Sequence, residues 1–452
     1  MLTLKLLHRW LGIAFCLFFA MWFASGAVMH WVPFPELSES ERVAGLPSLP
    51  AEPLPLTLPP AQALATFGRD DITRLRLVTA GGRAVYIALT TDNTLLAHEA
   101  TSGAPLIVDA AFALASASSH AATRGLDTTQ VKLIDTVVHD QWTVANNLDS
   151  HRPLFHLALN DAAGLELYVS SVTGEVVRDT TRSERLFNYA GSVLHWIYPT
   201  VLRKHWAAWD TTVWWLALAC LLGAISGALL GVLRLHKLAS PFRGWMYWHH
   251  VTGLACAVFV LTWIASGWLS MDHGLLFSEG RPQADEIATL SGPPLTAGEL
   301  ADHAASPAGR HEIEWSRFAG RVLTGPLTVD DVQRAATRLG PRCINAADDD
   351  AYATRSRTAD GTVFRIICGQ TWWQIDGADG RIIEKLDASR RAYRWAFRAL
   401  HTLDFPALAD RPALRSGLIM LLCGGGLFFS LTGVVIGWRR LKRRTGVRTG
   451  VI

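Results

Sequence analysis

No Gly-x-Gly-x-x-Gly turn follows a strand-like stretch in this sequence, so a nucleotide-binding domain is not expected. Its long apolar stretches hold no Asp or Glu relay, no Cys-x-x-Cys pair and no methionine ladder, which weighs against transport of zinc or copper. Charge of either sign is sparse, at 18% of 452 residues, and leaves a net +3. Lys and Arg clusters beside the apolar stretches account for that excess, so it implies no nucleic-acid partner.

Apolar sequence is what the chain has in quantity. Four nearly uncharged segments run from about Leu11 to Trp31, Thr211 to Leu233, Val251 to Ser270 and Ser416 to Trp438. Each has roughly the twenty residues needed to cross a hydrocarbon core about 30 Å thick. A globular protein rarely buries four helices that are apolar on every face, so all four read as transmembrane helices in contact with the lipid bilayer. The first follows Lys5, His8 and Arg9, as the apolar part of a signal peptide would. Its length and the lack of a small-x-small cleavage pattern predict an uncleaved anchor instead.

Orientation follows from the basic residues. Lys5 and Arg9 precede the first span, Arg234, Lys237 and Arg243 link the second to the third, and Arg439, Arg440, Lys442, Arg443 and Arg444 follow the fourth. Both termini and the link are therefore expected in the cytoplasm of a bacterial cell. The predicted layout is a helix in 1–32, a periplasmic region 33–208, a helix 209–235, a link 236–246, a helix 247–271, a periplasmic region 272–413, a helix 414–438 and a basic tail 439–452. Many of the 18 Trp, such as Trp10, Trp31, Trp209, Trp245, Trp268 and Trp438, fall at span ends as an aromatic belt. Trp372 and Trp373 stand apart, in the second outer region.

Two constant offsets run through the chain. At 241 positions, His8 matches His249, Gly12 matches Gly253, Trp22 matches Trp263, and Ser25-Gly26 matches Ser266-Gly267. At 206 positions, Gly174 matches Gly380, Arg185 matches Arg391, Leu194-His195 matches Leu400-His401, Ser226-Gly227 matches Thr432-Gly433, and Gly231 matches Gly437. The pattern predicts a helix, outer loop, helix unit repeated once, the copies parallel and related by an axis along the membrane normal. Within the loops, 95–106, 165–177 and 371–383 read as β-hairpins, and 60–67 and 329–340 as helices. Small α+β modules are therefore expected outside the spans. Cys16, Cys220, Cys256 and Cys423 lie in the spans as small hydrophobes, whereas Cys343 and Cys368, in the second outer region, could form a disulfide.

Histidine placement carries the chemistry, because a His at the edge of an apolar span is costly unless something uses it. His8 and His249 open helices on the inner side, and His195 and His401 precede helices on the outer side. Such imidazoles could ligate haem iron from both sides, or serve only as interfacial hydrogen-bonding groups. Gly223, Gly227, Gly231, Gly433 and Gly437 could give a macrocycle room or simply let helices pack closely.

Leu7-His8-Arg9-Trp10-Leu11-Gly12, the His249 to Gly253 repeat, the Leu-His pairs at 194 and 400, and Thr432-Gly433 followed by Gly437-Trp438-Arg439-Arg440 resemble the PepSY-associated transmembrane proteins over nearly the whole chain. The resemblance implies a four-helix, tandem-duplicated bundle with periplasmic α+β PepSY-like modules. Because that family includes inner-membrane haem reductases that free iron from imported siderophores, it also implies a ferric-siderophore reductase with two haem b groups. The family's histidines fall on His8, His195, His249 and His401 as ligands of the haem iron. The doubled His249-His250 leaves a choice there, which the repeat register turns toward His249, and His30, His205 or His273 could replace or supplement the outer pair. Electrons are expected from membrane quinol or a separate donor. The competing expectations are a membrane-anchored binding or regulatory protein without redox activity, and a metal transporter.

Overall fold

The computed structural model describes residues 1–49, 57–303, 309–346 and 362–445. Its four long helices are Leu2–Trp31, Trp206–Leu233, Trp245–Ser270 and Pro412–Thr445. All are long and apolar enough to cross a membrane, and only 17 to 28% of each apolar window is buried inside the protein, so most of that surface needs lipid as its solvent. The fourth helix does not give way to a tail at Trp438, as the layout above expected. It continues through Arg439, Arg440 and Lys442 to Thr445, as suits good helix formers whose positive charge complements the C-terminal end of the macrodipole.

These helices belong to a compact unit made of Met1–Phe34, Leu186–Phe277 and Arg391–Ile452. The first helix packs on the second and fourth, and the third also packs on the second and fourth, closing a ring of four. Phe23, Cys220, Val260, Trp263, Ile264, Ile419 and Cys423 fill its middle.

A second unit comprises Pro35–Arg185 and Ser278–Arg390. Its strands are β1 (Ile72–Ala80), β2 (Arg83–Thr90), β3 (Leu95–Glu99), β4 (Lys132–Val137), β5 (Leu154–Ala158), β6 (Glu166–Ser170), β7 (Val176–Thr180), β8 (Glu312–Phe318), β9 (Arg321–Leu323), β10 (Cys343–Ala346), β11 (Val363–Cys368), β12 (Thr371–Asp376) and β13 (Ile382–Leu386). Two four-stranded antiparallel meanders, β4-β5-β6-β7 and β10-β11-β12-β13, each carry a helix, Ala110–Thr123 or Val329–Leu339. Asp109 caps the first helix and a Thr328/Asp331 capping box starts the second. The β6–β7 and β12–β13 hairpins turn through Gly174 and Gly380, both at positive φ, where a Cβ would also strike Phe112 or Phe318. Stretch 95–106 is less regular than expected: β3 pairs with β2, and beyond the turn Pro105 makes only an isolated bridge to His98.

The α+β character expected outside the spans is present, and one of its sheets draws on both outer loops. Strands from both loops share a single five-stranded sheet, ordered β3-β2-β1-β8-β9. β1 pairs antiparallel with β8, Leu75 opposite Trp315 and Leu77 opposite Ile313, so the apolar faces of the two hairpins merge into one core. The hairpins themselves are alike, β1–β2 turning at Gly81-Gly82-Arg83 and β8–β9 at Ala319-Gly320-Arg321. Pairing equivalent strands buries an edge that each copy alone would leave open. In β10 and β11, Cys343 lies directly opposite Cys368 and the two are joined by a disulfide.

Charge follows the shared sheet. Arg76 bridges Glu175 at 2.7 Å and Glu312 at 2.6 Å, while Arg42 reaches Glu39 at 2.6 Å and Glu312 at 2.9 Å. Burial alone would raise the Glu312 carboxyl, but attraction to Arg76 and Arg42 prevails and holds it at about 2, against an ordinary 4.5. A depressed carboxyl stabilises the fold above its unfolded value and loses that contribution as pH falls through the folded one. Thermal unfolding of the purified protein should therefore show roughly 3 kcal/mol of stability lost between about pH 4.5 and pH 2 that is missing from a Glu312→Gln variant.

Candidate functional site: two histidine pairs in the helix bundle

Inside the bundle unit the four repeat-related histidines meet in twos. The ring centroids of His8 and His249 lie 6.3 Å apart, and those of His195 and His401 lie 6.1 Å apart. His8 and Ser25 are 17 residues apart on the first helix, as are His249 and Ser266 on the third, and Ser25 and Ser266 touch the second pair. At 1.5 Å per residue the pairs are thus separated by about 25 Å along the helices.

Every ring rests on another helix through Nδ1. His8 approaches the Gly223 carbonyl at 3.2 Å and the Ser226 hydroxyl at 3.4 Å, and His249 approaches the Thr432 hydroxyl at 2.9 Å. His195 meets the Ser25 hydroxyl at 3.1 Å, and His401 meets the Ser266 hydroxyl and the Trp263 carbonyl, each at 3.1 Å. The residue after each hydroxyl is a glycine facing the same ring. A Cβ would stand 2.6 Å from His8 Cε1 at Gly227, 3.2 Å from His401 Cε1 at Gly267, 3.3 Å from His195 Cε1 at Gly26 and 3.4 Å from His249 Cε1 at Gly433.

His195 and His401 precede their spans by about ten residues, and the structure shows how they still reach the bundle. Short helices Ser192–His195 and Leu400–Thr402 carry them, the latter directly after a π-helical turn, Trp395–Ala399. Two residues beyond each histidine the backbone turns left-handed, φ 51° at Ile197 and 52° at Leu403, positions related by the same offset of 206. A non-glycine residue held there is strained, and surrounding contacts keep it in place. Trp22 donates to the His195 carbonyl at 2.9 Å, Trp209 donates to the Trp196 and Ile197 carbonyls, and Arg415 donates to the Thr402 carbonyl. Sequence reasoning missed both turns, although the shared offset could have marked them.

The alternative histidines have other partners. His250 uses both nitrogens, Nδ1 with the Ser240 hydroxyl and Nε2 with the Gly231 carbonyl, each at 2.8 Å. His30 Nε2 lies 2.9 Å from the Ser416 hydroxyl, and His273 Nδ1 pairs with Asp210 beside the Trp214 ring. His205 stands at the position before the second long helix, makes no capping hydrogen bond with its side chain and is exposed. Trp373 is buried in the core beside the Val329–Leu339 helix, and Trp372 stacks under Arg365, so packing accounts for both.

A cavity of about 480 Å³ opens beside His8 and His249. Gly12, Gly223, Gly227, Gly253 and Gly433 line it, and so do the cationic side chains of Lys5, Arg9, Arg234 and Arg440. Among the described residues no three of His, Cys, Asp and Glu gather closely enough to hold a metal ion. The donors come in twos, which suits a metal whose remaining ligands are its own macrocycle better than a tetrahedral zinc site.

Four membrane-crossing helices joined to an α+β unit define a multi-pass membrane protein. The chain matches the PepSY-associated TM region family model over residues 6–440, and it belongs to that family. No curated protein matches it significantly.

The glycines give a direct check on this geometry. Gly227→Ala must displace the His8 ring and should cost about 1–3 kcal/mol by overpacking, whereas Gly433→Ala, with a 3.4 Å clearance, should be near neutral. Thermal melts of the two variants in detergent would separate them, and equal losses would contradict the described ring positions.

Proposed function

We propose that the chain is a b-type haem protein of the bacterial inner membrane, which passes electrons across the bilayer to a ferric-siderophore and so releases its iron. The observation that carries this reading is the spacing of the histidine pairs. A metal–imidazole bond of about 2 Å on each side, plus roughly 1 Å from nitrogen to ring centre, puts trans imidazole centroids about 6 Å apart. The two pairs stand at 6.3 and 6.1 Å.

His8 and His249 would hold one haem iron and His195 and His401 the other, each half of the duplication giving one ligand per site. Bound haem would supply a one-electron ferric/ferrous couple at each end. Lys5, Arg9, Arg234 and Arg440 are placed to neutralise a haem's carboxylates. The glycines facing the rings leave space for a flat group between helices. Phe23, Val260, Trp263 and Ile264 belong to the apolar core of the bundle, from which water would be excluded.

Basic residues at the His8 end, in the link and beyond Trp438 favour a cytoplasmic placement of that end. The Cys343–Cys368 disulfide favours an oxidising compartment for the second unit. Membrane quinol or a separate donor protein would then deliver electrons at the His8 pair, and the siderophore would be reduced at the His195 pair.

Protein purified from membranes should show b-type absorption bands and two haems per chain by pyridine haemochrome analysis. His8→Ala or His249→Ala should remove about half of the haem and stop quinol-driven reduction. His195→Ala or His401→Ala should leave the inner haem reducible while abolishing iron release in vesicles. Folded protein with no Soret band would overturn the reading in favour of a binding module, and stoichiometric bound metal without that band would favour transport.

A further inference from the structure

We infer that Ser25, Ser226, Ser266 and Thr432 are positioning residues that set the tautomer and orientation of the four paired histidines. This rests on the reading of those histidines as haem ligands, though its first consequence can be measured without haem.

The device appears four times with the same spacing. A helix carbonyl at position i is followed by a hydroxyl at i+3 and a glycine at i+4, as in Trp22, Ser25 and Gly26. Gly223, Ser226 and Gly227 repeat it, as do Trp263, Ser266 and Gly267, and Phe429, Thr432 and Gly433. Each hydroxyl donates to its own helix carbonyl: Ser226 to Gly223 at 2.8 Å, Ser266 to Trp263 at 3.0 Å, Ser25 to Trp22 at 3.3 Å and Thr432 to Phe429 at 2.5 Å. Two of these carbonyls also meet a histidine directly, Gly223 with His8 at 3.2 Å and Trp263 with His401 at 3.1 Å.

The hydrogen-bond inventory then decides where the imidazole proton sits. A carbonyl only accepts, and a hydroxyl whose hydrogen is already given to that carbonyl can offer the ring only a lone pair. Nδ1 must therefore carry the proton in all four rings. That leaves the ring lone pair on Nε2 in each. A ligating histidine that donates its other N–H is fixed in ring orientation and made a stronger donor, and losing such a partner typically costs 10- to 100-fold in metal affinity. Because Thr is stiff about χ1, Thr432 holds His249 in one orientation, and Gly433 leaves the ring room beside the helix.

Thr432→Val keeps the shape and removes the hydroxyl, Thr432→Ser restores it, and Thr262→Val makes the same change at a hydroxyl of the third long helix that donates to the Phe259 carbonyl at 3.1 Å. In haem-free protein, imidazole ¹⁵N and ¹³C shifts should report the Nδ1–H form of His249 in the wild type and in Thr432→Ser, with loss of that single form in Thr432→Val. In haem-loaded protein, Thr432→Val should lower haem affinity on the order of tenfold and change the low-spin EPR anisotropy, while Thr262→Val and Thr432→Ser should match the wild type. Unchanged shifts and spectra in Thr432→Val would overturn the inference even where two haems are bound. Equal effects from Thr262→Val would also overturn it, by making the change one of helix packing. A fixed Nδ1–H tautomer in a protein that takes up no haem would instead sustain the positioning role and defeat the haem reading.

Discussion

An imidazole inside an apolar bundle brings two nitrogens into a medium that penalises any polar group left unpaired. In this protein a hydroxyl of a neighbouring helix engages each Nδ1, joined by a carbonyl of the same turn at His8 and His401, and the histidines stand in pairs. Much of the bundle can be read as a consequence. The glycine after each hydroxyl lets the ring approach, the pre-span segments bend through Ile197 and Leu403 to deliver His195 and His401, and the four-helix ring brings one member of each pair from each half of the duplication.

The second unit meets a different constraint with the same duplication. Each half contributes a hairpin with an unpaired edge, and the antiparallel contact of β1 with β8 closes both edges at once. The cost is that charged residues on the two hairpins become buried beside one another. Arg76 and Arg42 between Glu175 and Glu312 offset that cost, since a buried charge is tolerated when it is paired and hydrogen-bonded. Neither half of the chain forms this sheet alone.

What could be read in the sequence was local or periodic. Span length, the basic flanks, the β6–β7 and β12–β13 hairpins and the two offsets each depend on near neighbours or on self-comparison. The β1–β8 pairing could not be read, because partner choice between strands about 240 positions apart leaves no local mark. The helical state of Arg439 to Thr445 was hidden by treating basic residues as tail composition, although their helix propensity is good. At the site, the histidines stood out as expensive residues in apolar surroundings. The hydroxyls that hold them entered only as repeat markers, since a Ser or Thr in a helix usually bonds its own backbone and gives no sign that it also supports a ring. His250 shows the converse: its doubling with His249 suggested a ligand, while its two nitrogens are occupied by Ser240 and Gly231.

The most direct test is an experimental density map of the chain purified from membranes in a mild detergent. The account predicts a planar, iron-centred density between His8 and His249 and a second between His195 and His401, each contacted by Nε2 of both rings. Pairs separated only by solvent, lipid or their own close contact, in protein shown to be folded, would contradict it.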